Sequence, residues 1–111
     1  MQRFAHSGVI EGFYGPTWSH ADRLFVIQRI GDWGMNRYYY APKDDPLHRS
    51  RWREPYPEST RAEFRELVAR GERSGVELGF AVSPGRSITY ASAKDHEALI
   101  EKFRGFVELG A

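Results

Sequence analysis

"GVIEGFYGPTWSHADRLFVIQRIGDWGMNRYYYAP", residues 8–42, decides the fold, because its hydrophobic period switches from strand to helix and back. It opens in an apolar run that, with the residues before it, predicts a strand over 4–10 ("FAHSGVI"), and Gly12 and Gly15 mark the turn that follows. Ser19 with Asp22 three residues later forms a capping box with aspartate in the acidic position. Leu24, Ile27, Ile30 and Trp33 then recur at helical spacing, which predicts a core-facing stripe that includes Trp33. Gly31 and Gly34 close this helix, and "MNRYYYA" (35–41) predicts a second strand with Tyr38 and Tyr40 on one face and Tyr39 on the other. Pro42 stops it.

Working outward, the same alternation continues. A polar loop containing Pro46, Pro55 and Pro57 leads to Thr60 and Glu63, a second capping box, and then to Phe64, Leu67, Val68 and Gly71 at i, i+3, i+4 and i+7. That helix should end near Ser74, with Gly75 as its C-terminal stop. "VELGFAVS" (76–83) predicts the third strand, cut off by Pro84 and Gly85. Ser92 and Asp95 cap a last helix, whose apolar stripe reads as Leu99, Phe103, Phe106, Val107 and Gly110. The βαβαβα rhythm implies an α/β fold with a parallel sheet and right-handed crossovers. Residues 1–111 read as one piece without a linker, a low-complexity run or a repeat. In open α/β sheets and in barrels, function gathers at the C-terminal ends of the strands. The loops 11–18, 42–57 and 83–91 are therefore expected side by side on a functional rim.

Composition narrows the classes. The formal net charge is +1 and the basic residues are interspersed with acids, so no nucleic-acid partner is expected. The absence of cysteine excludes disulfides, thiolate zinc sites and thiol nucleophiles. His6, His20, His48 and His96 show no ligand spacing, so no metal site and no cofactor are expected. No window approaches the roughly 18 apolar residues of a membrane span. Met1-Gln2-Arg3 leads almost directly into strand-like sequence, which gives no expectation of an export signal and leaves the compartment open.

Candidate chemistry lies in the loops. Asp44 and Asp45 are a tempting carboxylate pair, since paired acids can divide into an acid and a base. Adjacent loop aspartates more often cap turns, and Arg49, Arg51 and Arg53 are at hand for ion pairing, so the supporting role is preferred. Lys43, after Pro42, is either a donor to sugar hydroxyls or phosphates or a plain surface lysine. Glu11 is either a catalytic acid or an arginine partner. Trp18 and Trp52 either stack on a ligand or plug the loops onto the strand ends, the second being preferred. A phosphate loop is a poor reading, as neither glycine-rich phosphate motif is present.

Together, "GVIEGFYG", "MNRYYYAPKDDPLHRSRWREPYP" and "FAVSPG" resemble, in order and spacing, the start of the catalytic barrel of glycoside hydrolase family 84. That family comprises the O-GlcNAcases and the bacterial β-N-acetylglucosaminidases long labelled hyaluronidases. The resemblance covers residues 8 to about 110 and implies the N-terminal three βα units of a (β/α)8 TIM barrel, incomplete as a barrel. It further implies removal of β-linked N-acetylglucosamine with retention, through the substrate's own 2-acetamido oxygen, a substrate-assisted exception to the two-carboxylate scheme. Carried over, Gly12 would accept from a sugar hydroxyl through its main-chain oxygen. Phe13 and Tyr14 would shape that wall, and Lys43 would bond the sugar's hydroxyls. Asp44 and Asp45 match a loop-supporting motif, while the family's catalytic aspartate pair ends strand four and is expected beyond Ala111. No catalytic residue is therefore expected among these 111, and the chain alone is expected to be inactive. The implied partner is an N-acetylglucosamine-containing glycan or glycoprotein; a protein partner stays open. "GPTW" departs from the family, whose members more often place proline directly before tryptophan. The reading from another class is a non-catalytic α/β carbohydrate-binding module.

Overall fold

The computed structural model describes residues 4–111, so the reading of Met1-Gln2-Arg3 lies outside the described residues. Three strands, β1 (Gly8–Glu11), β2 (Arg37–Tyr40) and β3 (Glu77–Phe80), alternate with three helices, α1 (His20–Asp32), α2 (Glu58–Ser74) and α3 (Ala93–Val107). The strands form one parallel sheet in the order β1-β2-β3, with Val9, Tyr38 and Leu78 in one register row and Ile10, Tyr39 and Gly79 in the next. Among the described residues no helix is long and apolar enough to cross a membrane.

The alternation of β2 settles which face is which. Tyr38 and Tyr40 are buried beneath the helices with Ile27 and Ile30 of α1, Phe64, Leu67 and Val68 of α2, Leu78 of β3, and Phe106. Phe64 is central to this layer, with its ring centroid 5.0 Å from Tyr40, 4.9 Å from Tyr56 and 4.8 Å from Phe80. On the opposite face Ile10 is 68% exposed and Tyr39 43%. A parallel sheet buried on one side only is unusual, because crossovers normally leave both faces covered.

Ser19 caps α1 by accepting from the Asp22 amide, and Ser92 caps α3 by accepting from the Asp95 amide, as the sequence predicts. Gly75 ends α2 at φ 74°, the left-handed conformation that a side chain disfavours. Gly71 lets α2 approach β3 closely, since a Cβ there would lie 2.3 Å from the Val76 carbonyl oxygen.

Several boundaries and faces differ from expectation. β1 is four residues rather than 4–10, because Asn36 ties down the preceding segment instead: its Oδ1 accepts from Ser7 N and its Nδ2 donates to the Ala5 carbonyl. β2 and β3 are likewise shorter than 35–41 and 76–83. Trp33 is not core but 69% exposed, for it is the C-cap of α1 and leaves the helical stripe at φ −87°, ψ 4°. α2 starts at Glu58 behind Pro57, so Thr60 lies inside the first turn and is not a cap. On α3 the buried face carries Asp95, Lys102 and Phe106, with Leu109 just beyond, while Phe103 and Val107 are exposed. The stripe was misphased because the apolar residues of this helix span two faces, and only the packing against Tyr56 and Phe80 selects one.

Candidate functional site

The three loops after the strands meet at one end of the sheet. The Lys43 amide donates to the Phe13 carbonyl at 3.3 Å, joining the first loop to the second. The Ser83 amide donates to the His48 carbonyl at 2.8 Å, joining the second to the third. Gly12, Phe13 and Tyr14 thus lie beside Lys43. Phe13 leans on Trp18 with centroids 5.2 Å apart, and the Arg49 guanidinium sits 5.6 Å from the exposed Tyr14 ring. The Lys43 ammonium has no hydrogen-bond or ion-pair partner among the described residues, which leaves three donors for an external oxygen-rich ligand. Thr17, Asp44, Asp45 and Tyr56 line an adjoining cleft of about 300 Å³.

The two adjacent aspartates part company. Asp44 is exposed, whereas Asp45 accepts from Tyr40 at 2.5 Å, from Tyr56 at 2.7 Å and from the Leu47 amide at 2.9 Å. Burial first, then the neighbouring Asp45, pushes the pKa values of both hydroxyls up, so they stay protonated donors. The three bonds to Asp45 hold the loop in shape.

Of its two readings, Glu11 takes the arginine one. It is fully buried, receives Arg23 Nε at 2.8 Å and Nη2 at 2.9 Å, and accepts from the Tyr38 hydroxyl. Burial works against the Arg23 charge, and Glu11 more than offsets this, so the pKa of Arg23 rises. Trp52 is a plug: it is buried, donates from Nε1 to Ser87 Oγ at 3.1 Å, and has Arg53 stacked 4.5 Å above it. Arg53 reaches on to both oxygens of Asp95, at 2.8 Å each, which with the Thr89 amide holds that carboxyl down to about 2.

His48 was missed as a structural element because nothing in its sequence neighbourhood signals burial. Its Nδ1 lies 2.6 Å from the Ala81 carbonyl oxygen. A carbonyl only accepts, so Nδ1 carries the proton and Nε2 presents a lone pair, buried and without a partner among the described residues. Burial lowers the pKa of this imidazole, the Ala81 carbonyl opposing. No group of three or more His, Asp or Glu side chains among the described residues is arranged to hold a metal ion.

Comparison with known proteins gives a consistent picture. A family described as beta-N-acetylglucosaminidase matches residues 7–111. The protein O-GlcNAcases of Rattus norvegicus and Mus musculus are each 36% identical to this chain over 103 residues, 93% of the chain and 11% of the relative. A solved structure of a mutant O-GlcNAc hydrolase from Thermobaculum terrenum superposes with a TM-score of 0.95 at 42% identity, over 98% of this chain and 24% of that one. The chain thus spans about a tenth of the curated relatives and about a quarter of the solved hydrolase.

Proposed function

The chain belongs to the β-N-acetylglucosaminidase family, glycoside hydrolase family 84, and we propose that it supplies one wall of an O-GlcNAcase-type active site. In this reading residues 1–111 are the first three βα units of a (β/α)8 catalytic barrel. The whole enzyme hydrolyses β-linked N-acetylglucosamine from glycoproteins or glycans with retention, the substrate's acetamido oxygen acting as nucleophile. Gly12, Phe13 and Tyr14 line the sugar, Lys43 donates to its hydroxyls, and the catalytic aspartate pair comes from beyond Ala111. The observation that carries the reading is the Lys43–Phe13 backbone bond, which sets a lysine without a partner beside the glycine-aromatic loop at the strand ends. A whole barrel needs about 250 residues, so the 111 here are under half of one.

The test compares residues 1–111 with the product of the full reading frame that carries them, on 4-nitrophenyl β-N-acetylglucosaminide. The full product should turn over and residues 1–111 should not. A charged donor to a sugar hydroxyl contributes roughly 1.5–3 kcal/mol, so Lys43→Ala should lower kcat/KM about ten- to a hundredfold with an unchanged melting temperature. Phe64→Ala, deep in the core, should do the reverse, costing about 3–5 kcal/mol of stability with little direct effect on KM. Ordinary enzymatic turnover by residues 1–111 would refute the proposal. So would a Lys43→Ala variant that melts early and binds normally.

A further inference from the structure

Arg23, in the first turn of α1, lines the adjoining cleft with Asp44 and Asp45 but is not part of the Gly12–Tyr14 wall, and the supports of the two site loops meet on it. Its guanidinium grips Glu11 with two hydrogen bonds at 2.8 and 2.9 Å, and Glu11 is the residue immediately before Gly12. The carbon of the same guanidinium lies 4.8 Å from the centre of the Tyr40 ring. Tyr40 in turn donates to Asp45, two residues after Lys43, and Tyr56 braces the same carboxylate oxygen. A single line of contacts therefore runs from the base of the Gly12–Tyr14 wall, through α1, to the base of the Lys43 loop.

Each link transmits geometry. A two-pronged bond to a buried carboxylate fixes the plane of a guanidinium, because both N–H vectors are aimed. The guanidinium then closes one side of the Tyr40 ring, which Phe64 and Phe80 pack from within the core, and the ring carries the hydroxyl that holds Asp45. At their base the loops are joined by the Ala41 amide donating to the Glu11 carbonyl at 3.0 Å, but further out the direct link is weaker, since the Lys43–Phe13 bond at 3.3 Å is longer than a well-formed N–H···O bond. We propose that Arg23 is a positioning residue for the sugar site, holding Lys43 at its working distance from the Gly12–Tyr14 wall; this rests on the assignment of that wall and Lys43 to an N-acetylglucosamine site. Lysine cannot replace it. A lysine would keep a positive charge beside Glu11, but its ammonium lacks the planar fork that engages the carboxylate and the ring together.

The experiment uses the product of the full reading frame with 4-nitrophenyl β-N-acetylglucosaminide, and measures KM, kcat and melting temperature for Arg23→Lys, Lys43→Ala and the double variant. Misplacing a ground-state sugar contact should raise KM about tenfold in Arg23→Lys while kcat stays within about twofold. Because Arg23 acts through Lys43, adding Arg23→Lys to Lys43→Ala should raise KM by less than about twofold more. Two results would overturn the proposal: a wild-type KM in Arg23→Lys, or the same tenfold loss in both backgrounds. A Lys43→Ala variant with unchanged KM would instead sink the sugar-site assignment itself. Should Arg23→Lys fail to fold, Tyr40→Phe carries the test. It keeps the ring beneath the guanidinium, removes only the hydroxyl link to Asp45, and must also raise KM and lose that effect beside Lys43→Ala.

Discussion

Residues 1–111 taken alone should self-associate through the sheet face that the helices leave bare. The accessible surface is 6908 Å², whereas a folded monomer of this 12.8 kDa mass exposes about 6300 Å² by the usual scaling. The radius of gyration, 14.6 Å, likewise exceeds the roughly 13 Å expected for a compact domain of this length. The surplus of about 600 Å² approaches the ~800 Å² per partner of a standard interface. At ~25 cal/mol per Å², covering it contributes about 15 kcal/mol gross, against association costs of about 4–15 kcal/mol. Micromolar association is therefore within reach, and the outer edges of β1 and β3 add unpaired backbone to the same surface.

Ile10→Lys tests this directly. Ile10 lies in the middle register row of the bare face and is mostly exposed, so a lysine there should alter the folded monomer by no more than about 0.5 kcal/mol. In an assembly that covers this face, the same ammonium would be buried without a partner, which costs far more. Sedimentation velocity across the micromolar range should show wild-type species heavier than the monomer, with Ile10→Lys weakening association at least about tenfold. A sharp wild-type monomer with a reversible melt at the top of that range would refute the reasoning. The bare face would then be an ordinary surface, and the binding-module reading would gain.

Two further outcomes follow from the buried polar groups, both read in the full product. Asp45→Ala strands two tyrosine hydroxyls and the Leu47 amide beside a cleft that water can enter, so it should lose about 2–4 kcal/mol in urea unfolding, while exposed Asp44→Ala should stay within about 0.5 kcal/mol; equal midpoints would show that the tyrosine bonds carry no weight. Stability should also rise with pH in two windows, because burial pushes the pKa of His48 below 6.5 and that of Lys102 from 10.5 to about 8. The unfolded chain then binds more protons below pH 6.5 and again between about pH 8 and 10.5, so His48→Gln should flatten the first rise and Lys102→Met the second, and unchanged profiles in both would count against the buried placement.

What the sequence discloses depends on how far apart the interacting residues lie. The three strands and three helices were legible because their signals are local: Ser19 and Ser92 cap within three residues, and Tyr38-Tyr39-Tyr40 alternate between faces. The positions of Gly12, Phe13, Tyr14 and Lys43 on adjoining loops were legible too, since a parallel sheet carries every strand's C-terminal end to one side. Strand limits were not, as they hinge on Asn36 reaching back to Ala5 and Ser7 across about thirty residues. Nor was the buried face of α3, where Lys102 lies inside because its stem packs and its ammonium finds the Glu54 carbonyl and the Tyr56 ring. The Glu11–Arg23–Tyr40–Asp45 line is the extreme case. Glu11 and Asp45 draw notice singly, Glu11 even as an arginine partner, but Arg23 and Tyr40 read as ordinary positions and no period in the chain relates one of the four to the next. Yet a carboxylate with no solvent must find its donors somewhere. With Glu11 at the end of β1 and Arg23 on the helix crossing behind it, the burial of one requires the other. Support for a site of this kind is therefore to be sought among the charged residues of the helix following each strand, at the turns nearest the strand's C-terminal end.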